Sequence, residues 1–229
     1  MTTPGQHDHE HAGHDDADDT MFSAEFWDQR YGERDALWSG HPNPQLVAEA
    51  AELAPGRALD AGCGEGADAI WLAEHGWRVT AVDVSAVALG RGAAHAERLG
   101  ADVAGRITWQ QADLLAWSPE LGHYDLVTAQ FMQIPTKLRS AFFTRLADGV
   151  AEGGILLIVG HSPADMTSGV RRPQFPDLYF TAGQVADGLD TAKWSVLVSE
   201  ARPRQAQDQD GNPATVHDEV LAARRHRAT

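Results

Sequence analysis

The 229-residue sequence has a single cysteine, Cys63, few basic side chains, and no apolar run near the ~20 residues needed to cross a bilayer. One cysteine excludes a disulfide framework and a cysteine-cluster zinc site, and it fits a reducing compartment such as the cytoplasm. Lys and Arg number 18 against 33 Asp and Glu, a formal net charge of -15. That balance leaves no broad basic face to neutralise phosphates, so nucleic acid is not an expected partner. Neither is a membrane. The N-terminus is acidic and histidine-rich, the opposite of a secretory signal. A chain of this length buries roughly 70% of its unfolded surface and needs no covalent staple. The expectation is an acidic cytoplasmic protein with one folded domain, working as a monomer or homodimer.

Residues 1–20, MTTPGQHDHEHAGHDDADDT, contain almost nothing that could enter a core and read as a disordered tail. His7, His9, His11 and His14 alternate with carboxylates there. Neutral imidazoles beside carboxylates suit zinc, nickel or copper, while a solvated tail that meets metal incidentally explains the same composition. No metal is expected in the core.

From residue 43 to residue 187, strand and helix patterns alternate. Asn43 and Pro44 open a helix to about Leu53. Arg57–Asp60 is a short strand running into Ala61-Gly62-Cys63-Gly64-Glu65-Gly66. A helix over 67–75, a strand over 78–83, a helix from Ser85 to about Leu99, a strand over 107–111 and a strand over 124–129 follow. Residues 135–148 read as helix, Gly153-Gly154 as a break, and 155–159 as strand. A long loop spans 161–178, and Thr181 starts a short helix. Segments 194–201 and 215–223 read as a hairpin with a long connection around Asp210-Gly211-Asn212-Pro213. This order predicts an α/β fold: a Rossmann-like, doubly wound seven-stranded sheet, mostly parallel, with a C-terminal antiparallel hairpin. In such sheets ligands sit outside the carboxyl ends of the strands.

Chemistry-bearing residues fall at those ends. Gly62, Gly64 and Gly66 allow close backbone approach to a ligand and open a helix N-terminus. The spacing also satisfies the dinucleotide pattern, a weak signal alone. Asp60 decides against it, because a carboxylate there repels a pyrophosphate and suits a cation. Asp83 ends the second strand, where it can accept from two ribose hydroxyls or cap the next helix with Ser85. Asp113 follows the third, where it can accept from an adenine amino group or brace a turn. Three acids and a glycine loop at successive strand ends describe a nucleoside with positive charge and no phosphates.

The motifs Leu59-Asp60-Ala61-Gly62-Cys63-Gly64-Glu65-Gly66, Val82-Asp83-Val84-Ser85, Gln111-Ala112-Asp113-Leu114 and Tyr124-Asp125-Leu126-Val127 resemble those of class I S-adenosylmethionine-dependent methyltransferases. The resemblance spans about 57–160. It implies S-adenosylmethionine as cofactor and S-adenosylhomocysteine as product. It places Asp60, Gly62 and Gly64 around the methionine moiety, Asp83 and Val84 at the ribose, and Asp113 and Leu114 at adenine. Gln130, after the fourth strand, and Trp27 are assigned to the same cofactor site.

Phe22, Phe26, Trp27 and Tyr31 fall near one helix face, with Ser23 as its cap. With Trp38 and Pro42-Asn43-Pro44 they resemble the N-terminal lid of small bacterial methyltransferases grouped with tellurite-resistance and thiopurine methyltransferases. The run Thr215-x-His217-x-x-Val220-Leu221 resembles that group's last strand. The domain is therefore expected at 21–229, with a helical lid over 21–56 and the sheet core over 57–229. Methyl transfer to a small-molecule acceptor, such as a thiol or metalloid oxyanion, is the implied activity. The alternatives are a non-catalytic S-adenosylmethionine-binding protein with a metal-binding tail, and an NAD-dependent enzyme, which Asp60 and Asp113 disfavour. His161, after the fifth strand, is a candidate base, and Tyr31 a candidate to face the methyl group. Gln133 is a further substrate-side candidate. Arg171 and Arg172 suit a carboxylate or a solvated face.

Overall fold

The computed structural model describes residues 19–33, 40–170, 172 and 174–228. The histidines His7, His9, His11 and His14 lie outside them, as do Trp38 and Arg171. Asp19–Phe22, of which the first two residues were assigned to the tail by composition, form a 3-10 turn. Ser23 then caps α1 (Ala24–Gly32), its hydroxyl accepting from Phe26 N–H at 3.2 Å. Asn43 caps α2 (Pro44–Ala50), with proline at the first helical position.

The sheet contains β1 (Arg57–Ala61), β2 (Arg78–Asp83), β3 (Ile107–Gln111), β4 (Tyr124–Gln130), β5 (Val150–His161), β6 (Trp194–Gln207) and β7 (Pro213–Arg225). Their spatial order is β3-β2-β1-β4-β5-β7-β6. The first five run parallel, and β7 is antiparallel to both β5 and β6. The helices between are α3 (Ala67–Glu74), α4 (Ala86–Leu99), the single turn α5 (Ala101–Ala104), α6 (Thr136–Asp148) and α7 (Ala182–Ala186).

Period-two alternation along the strands divides the apolar side chains into two cores. Leu59, Val82, Val127, Leu156 and Leu221 face one side, where Phe142, Phe143 and Leu146 of α6 pack. Ala58, Ala81, Leu126, Leu157 and Val220 face the other, against Leu46 of α2 and Ile70 and Leu72 of α3. Burial on both faces explains the nearly continuous apolar run of β5. The strand order reverses between β1 and β4, so their carboxyl ends flank the crevice where such sheets take ligands.

Two boundaries differ from the sequence expectation. Gly153-Gly154 does not precede β5 but lies inside it, at a register irregularity opposite Tyr124 and Leu126. Gly153 has φ +81°, and a Cβ on Gly154 would come within 3.0 Å of the carbonyl oxygens of Tyr124, Asp125 and Ala151. The pair is there because the backbones converge. The hairpin connection is not long: pairing continues to Gln207↔Pro213. Residues 208–212 close it, with Asp208 accepting from the backbone N–H groups of Asp210 and Asn212. β6 hides this in sequence because its inward residues past Ala201 include Arg202 and Arg204. Pro203 is tolerated on an edge strand.

Candidate active site

The turn after β1 is built from three glycines with positive φ: Gly62 (+78°), Gly64 (+52°) and Gly66 (+80°). Gly62 and Cys63 donate their N–H groups to Val82 O at 2.8 and 3.1 Å, pinning the turn against β2. A Cβ on Gly62 would overlap Met132 Sδ. A Cβ on Gly66 would overlap the Trp109 ring, which also fills the space beside Gly92. Gly66 thus serves helix packing, and Gly62 close approach.

Three carboxylates surround this turn. Asp83 is 8% exposed; one oxygen accepts from Gly64 N–H at 2.8 Å and the other from Ser85 N–H at 2.9 Å. Asp60 is 1% exposed, and its Oδ2 has no protein partner. Burial, then the neighbouring charges of Asp68 and Asp83, push its carboxyl well above the usual range. Asp68, in the first turn of α3, accepts from Asn43 N–H at 2.6 Å, and burial raises it to about 6. An anion cannot enter this cluster without severe repulsion, and a cation relieves it. Cys63 lies in the same field; burial, Asp60 and Asp83 raise its thiol, so it is no nucleophile.

Asn43 links the turn to β4. Its Nδ2 donates to Gln130 Oε1 at 2.9 Å, and Gln130 Nε2 donates to Thr128 Oγ1. On the other flank, Asp28 of α1 accepts from Ser85 Oγ at 2.6 Å and from Val87 N–H at 3.1 Å, docking α1 on the start of α4. Trp27 stands on α1 between Phe26 and Tyr31, with Arg30 5.7 Å from its ring centre. Tyr31 is 3% exposed, one turn along the helix.

Asp60, Gly62, Gly64, Asp83 and Val84 therefore converge at the ends of β1 and β2, with Gln130 one strand away. Ala112 N–H donates to Asp83 O at 3.0 Å, which brings Asp113 alongside. Asp113 is exposed and accepts from Leu115 N–H at 2.9 Å, as a turn residue does. Leu114 is 6% exposed and its side chain belongs to the core, so an apolar contact from it to a ligand is not what this packing offers. His161 ends β5 and stacks on Phe131 with ring centres 4.4 Å apart. Arg172 Nη1 lies 2.9 Å from His161 Nε2. Burial, then Arg172 and Arg204, push the ring down to about 3, which leaves it too weakly basic to take a proton near neutrality. The expectation of His161 as a base loses its physical ground. Gln133 is occupied as well, accepting from His161 N–H and donating to Leu178 O.

Sequence reasoning did not single out Asp68, Asp28 or Met132. Asp68 had a signal, an acid in the first turn of the helix after the glycines. The other two act across distances that no local pattern encodes.

Residues 58–154 match the family described as a methyltransferase domain. The chain is 36% identical over 112 residues to a ribosomal RNA small subunit methyltransferase C of Alcanivorax borkumensis, covering 47% of this chain and 33% of that protein. It is 26% identical over 126 residues to a 2-heptyl-1-hydroxyquinolin-4(1H)-one methyltransferase of Mycobacteroides abscessus, covering 53% of this chain and 54% of that one. The chain thus spans a third to a half of these curated relatives. Among solved structures, one from work on conversion of a disulfide bond into a thioacetal group during echinomycin biosynthesis shares the fold at TM-score 0.70 and 24% identity, covering 90% of this chain and 93% of that one. TehB from Haemophilus influenzae shares it at TM-score 0.61 and 19% identity, covering 89% and 67%. Residues 58–154 are, on this match, a methyltransferase domain set within the seven-stranded sheet.

Proposed function

We propose that the protein transfers a methyl group from S-adenosylmethionine to a small-molecule acceptor. The observation that carries this reading is the unpartnered oxygen of buried Asp60 beside a glycine turn held by Asp83. When bound, S-adenosylmethionine supplies an electrophilic methyl carbon on a positively charged sulfur. Asp60 and the turn at Gly62 and Gly64 hold its cationic methionine end. Asp83, with Val84, takes the ribose through lone pairs left beside its two backbone bonds. Asp113 and the backbone of Leu114 border the adenine. Gln130, fixed by Asn43 and Thr128, and Trp27 close the crevice on either side. The protein contributes placement and exclusion of water rather than proton transfer.

The small-molecule acceptor follows from charge, since a net -15 offers no broad basic face for RNA. Thiols and metalloid oxyanions fit a site without a strong base, because a thiol loses its proton to solvent near neutrality and attacks as the thiolate, and a metalloid oxyanion already carries its negative charge. The test is S-adenosylhomocysteine formation, followed by mass spectrometry, with thiols, selenite, tellurite, phenols, carboxylic acids and ribosomal RNA offered in parallel. Turnover with a small acceptor is expected. Turnover with RNA alone would move the acceptor to the class named for the Alcanivorax relative. Cofactor binding without turnover on any acceptor would favour a binding protein.

A further inference from the structure

A second set of buried polar atoms without protein partners lies at the end of β5. A guanidinium only donates, so His161 Nε2 accepts from Arg172 Nη1 and the proton of the neutral ring sits on Nδ1. That Nδ1 is buried and unpartnered, and so are Nε and Nη2 of Arg172. Two touching side chains therefore present three buried donors and no acceptor. Leaving such groups unpaired is costly unless something is meant to pair with them. Arg172 Nε and Nη2 share one edge of the guanidinium, the edge that matches two oxygens of a carboxylate.

The neighbouring carboxylates are engaged elsewhere. Asp218 pairs with Arg204 at 3.1 Å, and Asp165 with His217 at 3.0 Å. Glu219 accepts from Ser162 Oγ at 2.6 Å and from Ala182 N–H at 2.9 Å. The position is also suggestive. Phe131, stacked on His161, has φ +56°, a strained conformation for a bulky residue that tends to mark functional sites. The next residue, Met132, lies against Gly62. Two consecutive residues, Phe131 and Met132, thus span from the donors to the glycine turn. Among the described residues of the 162–178 connection the regular structure is two short 3-10 turns, Pro163–Thr167 and Pro176–Leu178, so this segment is easily displaced by an entering molecule.

We infer that His161 Nδ1 and Arg172 Nε and Nη2 receive an anionic oxygen group of the methyl acceptor, a carboxylate or an ionised hydroxyl. The inference rests on the methyltransferase reading and narrows its substrate class to small organic anions.

The test is fluorine NMR titration of the full-length protein, saturated with S-adenosylhomocysteine, using trifluoroacetate and 4-fluorobenzoate against trifluoroacetamide and 4-fluorobenzamide. At least one anion is expected to bind and its amide not. Arg172→Gln should weaken anion binding by about tenfold or more, with S-adenosylhomocysteine affinity and Tm unchanged. Should that variant fold poorly, Arg172→Lys, which keeps the charge but loses the paired donors, should give an intermediate loss. Equal binding of acid and amide, no binding of either anion, or wild-type anion affinity in a folded Arg172 variant would each overturn the subsite. If S-adenosylhomocysteine does not bind while anions still bind through Arg172, the subsite stands and the methyltransferase reading falls.

Discussion

Asp60 is an expensive residue for the unliganded fold. A buried carboxylate with one unpartnered oxygen and two acidic neighbours opposes stability, which makes sense where a cationic ligand relieves it. Asp60→Asn should therefore weaken S-adenosylmethionine binding by roughly 10- to 100-fold without lowering Tm; a variant that binds normally would contradict the assignment. Asp68 gives a pH signature. Its folded carboxyl titrates at about 6 against 3.8 for the free group. The folded chain thus binds more protons than the unfolded one between these values. The associated stability is full below the lower value and is lost as pH rises through the upper, by about 3 kcal/mol at most. Urea unfolding at pH 4 and 7 should show wild type losing more stability with rising pH than Asp68→Asn. Parallel behaviour of the two proteins would contradict the burial effect. Neither property could be read from the sequence, because Asp60 and Asp68 are eight positions apart and only the fold shows that Asp60 is buried with the charges of Asp68 and Asp83 beside it.

Elements were more legible than their junctions. The glycine turn, the acids at the ends of β1 and β2, and the amphipathic aromatics of α1 follow from local pattern, since period and capping residues are local properties. What α1 docks on is not local. Asp28 meets Ser85 and the backbone of Val87 across more than fifty residues. There it adds a second acceptor beside the capping hydroxyl of Ser85 at the start of α4, so Asp28→Ala should cost about 1 kcal/mol in urea unfolding; no change would mean that α1 is not held there. The far half of the hairpin was illegible for a related reason. Arg202 and Arg204 turn inward to Glu49 and Asp218, so the strand's alternation is carried by charges instead of apolar residues. The arginine, histidine and phenylalanine at the end of β5 were individually visible in the sequence, but their convergence needed β4, β5 and the 162–178 connection placed together.

The chain as a whole carries a strongly negative field, and the two proposed ligands should feel it oppositely. Added salt screens that field, with a Debye length of about 10 Å at 0.1 M. Raising sodium chloride should loosen S-adenosylmethionine and tighten the binding of 4-fluorobenzoate; shifts of the same sign would contradict the charge assignments. Identifying the cofactor comes before all of this. Calorimetric titration of the full-length protein with S-adenosylmethionine, S-adenosylhomocysteine and NAD should give binding of the first two, none of NAD, and a strong loss of the first in Asp83→Ala. Binding of NAD, or no binding of either adenosyl compound, would contradict the assignment of the acidic glycine turn to S-adenosylmethionine.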